Sequence, residues 1–247
     1  MLYLLKRHPI PISAFFRHSL VLTYALHPEA LKSLIPNGLV LDTYQGHAFL
    51  AIALVQTESL RPSFLPAVLG RDFFLSGYRI FTRLGSGAQS RRGLRILRSD
   101  TDHRWMVIAG NRLTHYNYRL CKVRLEERDG EIHWTIRTPR AEADLEVVAR
   151  VAGNSAALPG GSPFRTLADA RRFAGPLPYT FDYEEPTGAI IGIHAVRQHW
   201  NPRPVAVEVR RNTFLEREPF RGAEPTLANA FYVHDVPYEW QRGRRLA

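Results

Sequence analysis

Residues 27–56 read HPEALKSLIPNGLVLDTYQGHAFLAIALVQ, and a change of pattern inside this stretch decides the fold. The opening, His27 to Ile35, carries helix signals. Pro28 suits a first turn, where its missing N–H costs nothing, and Glu29 complements the positive helix end. Pro36-Asn37-Gly38 stops the run, and Leu26, Ala30, Leu31 and Leu34 share one face. After Gly38 the period shortens. GLVLDTY and HAFLAIALVQ are apolar or alternating runs on either side of Gln45-Gly46, the pattern of two strands joined by a tight turn.

Outward from this stretch, strand patterns dominate. They are expected at 76–84 (SGYRIFTRL), 93–99 (GLRILRS) and 105–110 (WMVIAG). The runs NYRLCKVRLEE and EIHWTIRT are joined through Arg128-Asp129-Gly130, and Asp-Gly between alternating runs is a hairpin signal because both residues tolerate positive φ. ADLEVVARV at 143–151 extends the meander. The loop 153–163 leads to a short helix, TLADARRF, with Thr166 as its cap. YTFDYE, AIIGIHAV, PVAVEVRR and LANAFYVHDV then read as strand. LGSGAQS at 84–90 lacks the helix and lysine of a phosphate loop and reads as a hairpin connection. The expected fold class is mainly β, a β-rich α+β single domain over residues 1–247. It carries two or three short helices, and its strands form a closed or partly closed β-barrel, since closure is one way to remove sheet edges.

The composition narrows function. Of 247 residues, 45% are hydrophobic and 23% charged, which suits a globular chain with a substantial core. The net charge is +10, and the only lysines are Lys6, Lys32 and Lys122. The arginines are scattered and no helix-turn-helix, zinc-finger or RNA-binding signature accompanies them, so no nucleic acid is expected as a partner. MLYLLKRHPIPISAFF places Lys6-Arg7 after the apolar residues, the wrong order for an export signal. The longest apolar run, Ala48 to Val55, is far short of a bilayer span, so no membrane is expected either. With a single cysteine, Cys121, a cytoplasmic protein is the reading, and Cys121 itself reads as packing. Asp100, Asp102 and His103 read as a turn rather than a metal site, and no cofactor is implied. A homo-oligomer remains open.

The segment HPEALKSLIPNGLVLDTYQGHAFLAIALVQTESLRPSFLP resembles the entry segment of the YqjF-like family of uncharacterised domains. GYRIFTR is similar to that family's next strand, and HAVRQHWNPRPVAVEV to its C-terminal His-Trp strand region. The resemblance covers approximately residues 18 to 210. It implies an acetoacetate decarboxylase-like fold, a β-barrel around a central cavity, and a small-molecule ligand. Decarboxylases of that superfamily carry glycine, an aromatic, proline and two adjacent lysines, the first forming an imine with the substrate and the second lowering its pKa. By that resemblance the motif falls on HYNYR, with His115 at the glycine, Tyr116 at the aromatic, Asn117 at the proline, Tyr118 at the nucleophilic lysine and Arg119 at its partner. A phenol forms no imine with a ketone and an arginine stays protonated, so imine chemistry is not expected here.

The candidate site therefore comprises Tyr118 and His115 as acids, with Arg79, Asn117, Arg119 and His194 binding an anionic or carbonyl-bearing small molecule. Each also has a plain structural reading. His115 and Tyr118 suit a strand end, Arg79 and Arg119 suit salt bridges with residues such as Asp42 or Glu58, and His194 suits a buried hydrogen-bonded histidine. The strand period places Cys121, Val123 and Leu125 inward and Lys122 outward. Continued backwards, it turns Arg119 inward and Tyr118 away, against the alignment. A bulge or turn near Asn117 would reconcile the two.

Overall fold

A computed structural model describes residues 2–85, 90–153, 156–175 and 177–247. The strands are β1 (Ile12–Leu26), β2 (Leu39–Leu41), β3 (Ala48–Pro62), β4 (Arg71–Leu84), β5 (Arg91–Thr101), β6 (Tyr118–Leu120), β7 (Lys122–Arg128), β8 (Glu131–Arg137) and β9 (Leu145–Arg150). They continue with β10 (Tyr179–Glu184), β11 (Ala189–Arg197), β12 (Arg203–Pro204), β13 (Ala206–Asn212), β14 (Thr226–Trp240) and β15 (Arg244–Arg245). The α-helices are α1 (Glu29–Lys32), α2 (Arg104–Leu113) and α3 (Leu167–Ala174).

An 11-stranded sheet runs β12-β14-β1-β3-β4-β5-β10-β11-β15, with β2 on β4 and β6 on β5 off this path, and a further β14–β11 pairing bends it into a ring. That closing seam is short: Ala195, Val196 and Arg197 pair with Trp240, Glu239 and Tyr238. A second, 4-stranded sheet, β13-β9-β8-β7, packs on the outside of β1, β3 and β4. Along β3 the alternation separates two environments. Leu50, Ile52 and Leu54 meet the second sheet through Trp134, Ile136 and Val147, while Ala51, Ala53 and Val55 face the bore of the ring. One end of the bore is plugged by aromatic packing of Phe49, Phe81, Phe164 and Phe173 beside α3. The other end is covered by α2 and the N-terminal segment.

The mainly β, ring-like architecture agrees with the sequence reading, and several elements differ in detail. The Gln45-Gly46 turn forms, both residues at positive φ (48° and 80°), but β2 pairs with β4 rather than with β3. Only one helical turn, α1, forms within 27–35. The strand expected at 105–110 is instead α2. Met106, Gly110 and Leu113 recur on its inward side while Trp105 and Ile108 are exposed, a helical spacing hidden inside a short apolar run. No element was expected at 12–26, which forms the long central strand β1. The Asp129-Gly130 hairpin joins β7 and β8, and Thr166 caps α3 by accepting a hydrogen bond from the Asp169 amide at 3.0 Å. The connection expected at 84–90 falls in part on residues 86–89, outside the described residues, as do residues 154–155 of the loop 153–163. No helix among the described residues is long and apolar enough to cross a membrane.

Candidate functional site

The stretch Gly110 to Leu120 is organised around Tyr118. The Asn111 side chain grips its backbone twice: Oδ1 accepts from the Tyr118 amide at 2.7 Å, and Nδ2 donates to the Tyr118 carbonyl at 2.9 Å. The Tyr118 ring lies against α2 at Gly110, where an added Cβ would sit 2.3 Å from the ring. Only glycine permits that approach. Asn117 adopts φ 53°, which breaks the strand alternation, and the chain then passes from the ring into the second sheet at Cys121. The turn at Asn117 settles the conflict between alignment and period. Tyr118 is buried against the bore, and Arg119 is exposed.

Small residues hollow out the middle of the bore. Ser19 on β1 and Ala51 and Ala53 on β3 line a chamber of about 70 Å³, together with Arg79, Thr180, Arg197, Trp200, Tyr238 and Trp240. At roughly 10–15 Å³ per water-sized group, this has room for about five such groups, the scale of a two- to four-carbon acid. Gly77 makes space for Arg79, since a Cβ there would lie 2.6 Å from its Nε. That Nε is buried without a hydrogen-bond partner, and no carboxylate among the described residues pairs with Arg79. Arg197 stacks its guanidinium on Trp200 at 4.9 Å and on Tyr238 at 5.7 Å, and donates to the Leu177 carbonyl. Burial holds the Arg197 pKa below its ordinary value; Tyr238 opposes this and the neighbouring Arg79 adds to it. Among the described residues, no acidic side chain and no lysine lines the chamber.

Beside the chamber sits a second group of enclosed polar side chains. Asp182 on β10 is fully buried, and burial pushes its pKa up to about 7, against the pull of Arg95 and of the His115 backbone. Arg95 Nη1 approaches Asp182 Oδ1 only to 3.9 Å, and both Asp182 oxygens lack hydrogen-bond partners. Burial raises the Tyr118 phenol well above its ordinary pKa, with Arg79 acting in the opposite sense, so Tyr118 is a neutral proton donor at ordinary pH.

The expected site residues divide. Arg79 and Tyr118 reach the interior together. His115 is half-buried at its edge, its Nε2 without a partner and its pKa lowered chiefly by burial. Asn117 and Arg119 face an outer surface groove, where Arg119 lies 3.8 Å from Glu142. His194 is on the outer face of β11, 3.3 Å from Gln241 and 5.0 Å from the Tyr179 ring. Asp42 pairs with Arg83 and Arg92, and Glu58 with Arg17, so neither reaches Arg79 or Arg119. Lys122 is exposed on β7. Asp100 is bound by Arg98, and Asp102 accepts from the Phe74 amide. Cys121 is buried in the core between the sheets, and burial raises its thiol pKa. Sequence reasoning missed Arg197, Arg95 and Asp182. For Arg197 the signal was present: Ala189, Ile191, Ile193 and Ala195 alternate towards it on one face of β11.

Residues 13–237 match the sequence profile of DUF2071, described as an uncharacterized conserved protein. No curated protein matches. Solved structures share the fold, and three of them illustrate the likeness. An acetoacetate decarboxylase-like enzyme from Sphingomonas wittichii RW1 has 14% identity and a TM-score of 0.64, over 98% of this chain and 94% of that one. Acetoacetate decarboxylase from Legionella pneumophila has 12% identity and a TM-score of 0.65, over 97% and 88%. The enduracididine biosynthesis enzyme MppR, complexed with pyruvate, has 12% identity and a TM-score of 0.67, over 97% and 91%. At these identities the likeness is one of fold.

Proposed function

Since the chain belongs to the DUF2071 family and has the acetoacetate decarboxylase-like fold, we propose that it binds a small carboxylate or carbonyl-bearing anion in the bore, without covalent attachment. One observation carries this reading. Two arginines, Arg79 and Arg197, line one small chamber in which no acidic side chain among the described residues answers them. Enclosed guanidinium groups without counter-ions are costly, and a ligand carboxylate relieves that cost through charge-assisted hydrogen bonds. The MppR complex with pyruvate is consistent with an acid of this size in this fold. With no lysine among the described residues of the chamber wall, imine formation has no nucleophile there.

A second reading adds turnover. Tyr118 is a neutral donor close to Arg79, and Asp182 titrates near neutrality close to Tyr118. Such a pair can exchange a proton with an enolisable keto acid in lyase or isomerase chemistry. His115, at the edge of the same group, is the alternative acid.

Calorimetry with pyruvate and acetate tests the first reading. Saturable 1:1 binding is expected, weakened at least tenfold in both Arg79→Met and Arg197→Met. Unchanged affinity in both variants would remove the anion site. Borohydride treatment with pyruvate should leave the intact mass unaltered, and an adduct would restore imine chemistry. Proton–deuterium exchange at the pyruvate methyl, faster with the protein than with Tyr118→Phe, separates turnover from binding.

A further inference from the structure

The two ends of the ring differ in what their connections show to solvent. Of the nine large apolar side chains exposed among the described residues, seven stand at the end where β1 and β4 begin and β3 and β5 finish. Leu4 and Leu5 precede β1. Phe64, Val68 and Leu69 lie in the β3–β4 connection, with Phe64 72% and Val68 87% exposed. Trp105, also 72% exposed, and Ile108 are on α2. Of the same nine, the opposite end holds only Val40. We propose that the apolar end is a docking face for an anionic lipid bilayer.

The pattern on α2 is the strongest support. Met106, Gly110 and Leu113 face inward, while Trp105, Ile108 and Ala109 form a second apolar stripe at helical spacing. That stripe faces solvent between the exposed Arg104 and Arg112. A helix apolar on both sides is ordinarily enclosed on both, and α2 is enclosed on one. The connections are also tied into one platform. The His8 amide donates to the Leu113 carbonyl at 2.9 Å, and the Ser63 amide donates to the Pro11 carbonyl at 3.0 Å. Exposed apolar residues scattered singly need no explanation, but a cluster on one face marks an interaction surface.

Charge selects the partner. Residues 3–11, 63–70 and 103–113 contain no aspartate or glutamate. Arg7 is taken by Glu184. Lys6, Arg71, Arg104 and Arg112 pair with no carboxylate among the described residues, and Arg61 bonds to backbone carbonyls. The acids bordering these connections in the chain, Asp72 and Asp102, accept from the Ser59 and Phe74 amides. Five cations thus stand beside two carboxylates. A second copy laid face to face would set cations against cations, whereas an anionic lipid surface accepts both the charge and the apolar tips. Tryptophan, phenylalanine and leucine flanked by lysine and arginine are the side chains that seat about 5–10 Å into the headgroup–acyl boundary. The net charge of +10 draws the chain to such a surface. Docking of this kind needs no segment of crossing length, so it is compatible with the short helices of this fold.

Co-sedimentation of the full chain with vesicles tests the proposal, using phosphatidylcholine alone and with phosphatidylserine as about one-third of the lipid. Binding to the mixed vesicles is expected, at least tenfold stronger than to phosphatidylcholine, and weaker as salt rises. Trp105→Ser combined with Ile108→Ser should weaken it at least tenfold. Arg104→Gln combined with Arg112→Gln should weaken it at least fivefold, and thermal unfolding confirms that both variants fold. Val40→Ser, at the opposite end, should leave it unchanged. The proposal is overturned if the chain binds neither vesicle, if it binds both equally, or if the Trp105 and Ile108 substitutions change nothing. Sedimentation velocity separates the lipid surface from a second copy. A native dimer that Trp105→Ser breaks would give the face to that copy and overturn the proposal equally.

Discussion

The two faces of β3 differ by one residue in phase and by everything in outcome. Leu50, Ile52 and Leu54 enter a solid interface built around Trp134 and Phe74, whose rings are 5.5 Å apart. Ala51 and Ala53 leave a hollow, and β4 contributes Gly77 and Arg79 to the same side. Large side chains on one face let the strands be held from outside, so the other face need not be filled to keep the sheet in place. Support of the sheet and the proposed binding space are thus assigned to alternate residues of the same strands.

The contrast can be broken most severely from the solid side. Trp134→Ala should cost about 3–5 kcal/mol in urea or thermal unfolding, the range for deleting a fully buried aromatic side chain. From the hollow side, Ala53→Leu should change stability by less than about 1.5 kcal/mol, since it fills space instead of overpacking a core. It should nevertheless abolish pyruvate binding, and an equal loss of stability in both variants would show that the two faces are not distinct.

pH sharpens the comparison. The folded-state pKa of Asp182 is raised to about 7 from an ordinary 3.8. Its contribution to stability is therefore greatest below pH 4 and is lost as pH rises towards 7. His8, lowered to about 4 from 6.5, acts in the opposite sense: its contribution is full above pH 6.5 and is lost as pH falls. Asp100, raised to about 6, follows Asp182. Between pH 4.5 and 6.5 these slopes oppose one another in the native chain. Asp182→Asn should remove a falling slope of about 1 kcal/mol per pH unit, read from unfolding at three pH values. A slope identical to that of the native chain would place Asp182 in a more solvated setting.

The smallest effect is expected at the plugged end of the bore. Thr166→Ala removes the cap of α3, the helix that supplies Phe173 to the aromatic plug, and should cost about 1 kcal/mol in thermal unfolding. Pyruvate affinity should not change, because the plug borders the chamber without supplying its polar groups.

Much of this architecture was legible in the sequence because β period and turn chemistry are local. The Asp129-Gly130 hairpin, the Thr166 cap and the β3 run required only neighbours in the chain. What failed depended on distant partners. WMVIAG is apolar enough for a strand, and it forms a helix because α2 covers the open end of a ring that a short window does not reveal. Asn117 resets the alternation by one backbone angle, so a period read backwards from Cys121 picked Arg119 where the fold presents Tyr118. Arg79 was found by alignment and Arg197 was overlooked, since their association depends on β4 and β11 facing each other across the bore. Asp182 lies in YTFDYE, where nothing local separates an enclosed aspartate from a solvated one.

The ring is joined at β11 and β14 by three residue pairs, and the last of these sets Arg197 opposite Tyr238, both on the chamber wall. An anion held between Arg197 on β11 and Arg79 on β4 therefore acts as a cross-tie beside this short closing join of the ring. Amide hydrogens of the facing pair Val196 and Glu239 should exchange with solvent by brief parting of that join, and should be slowed by a bound acid more than those of β1 or β3. The protein would then report occupancy of its interior as the breathing rate of its own seam.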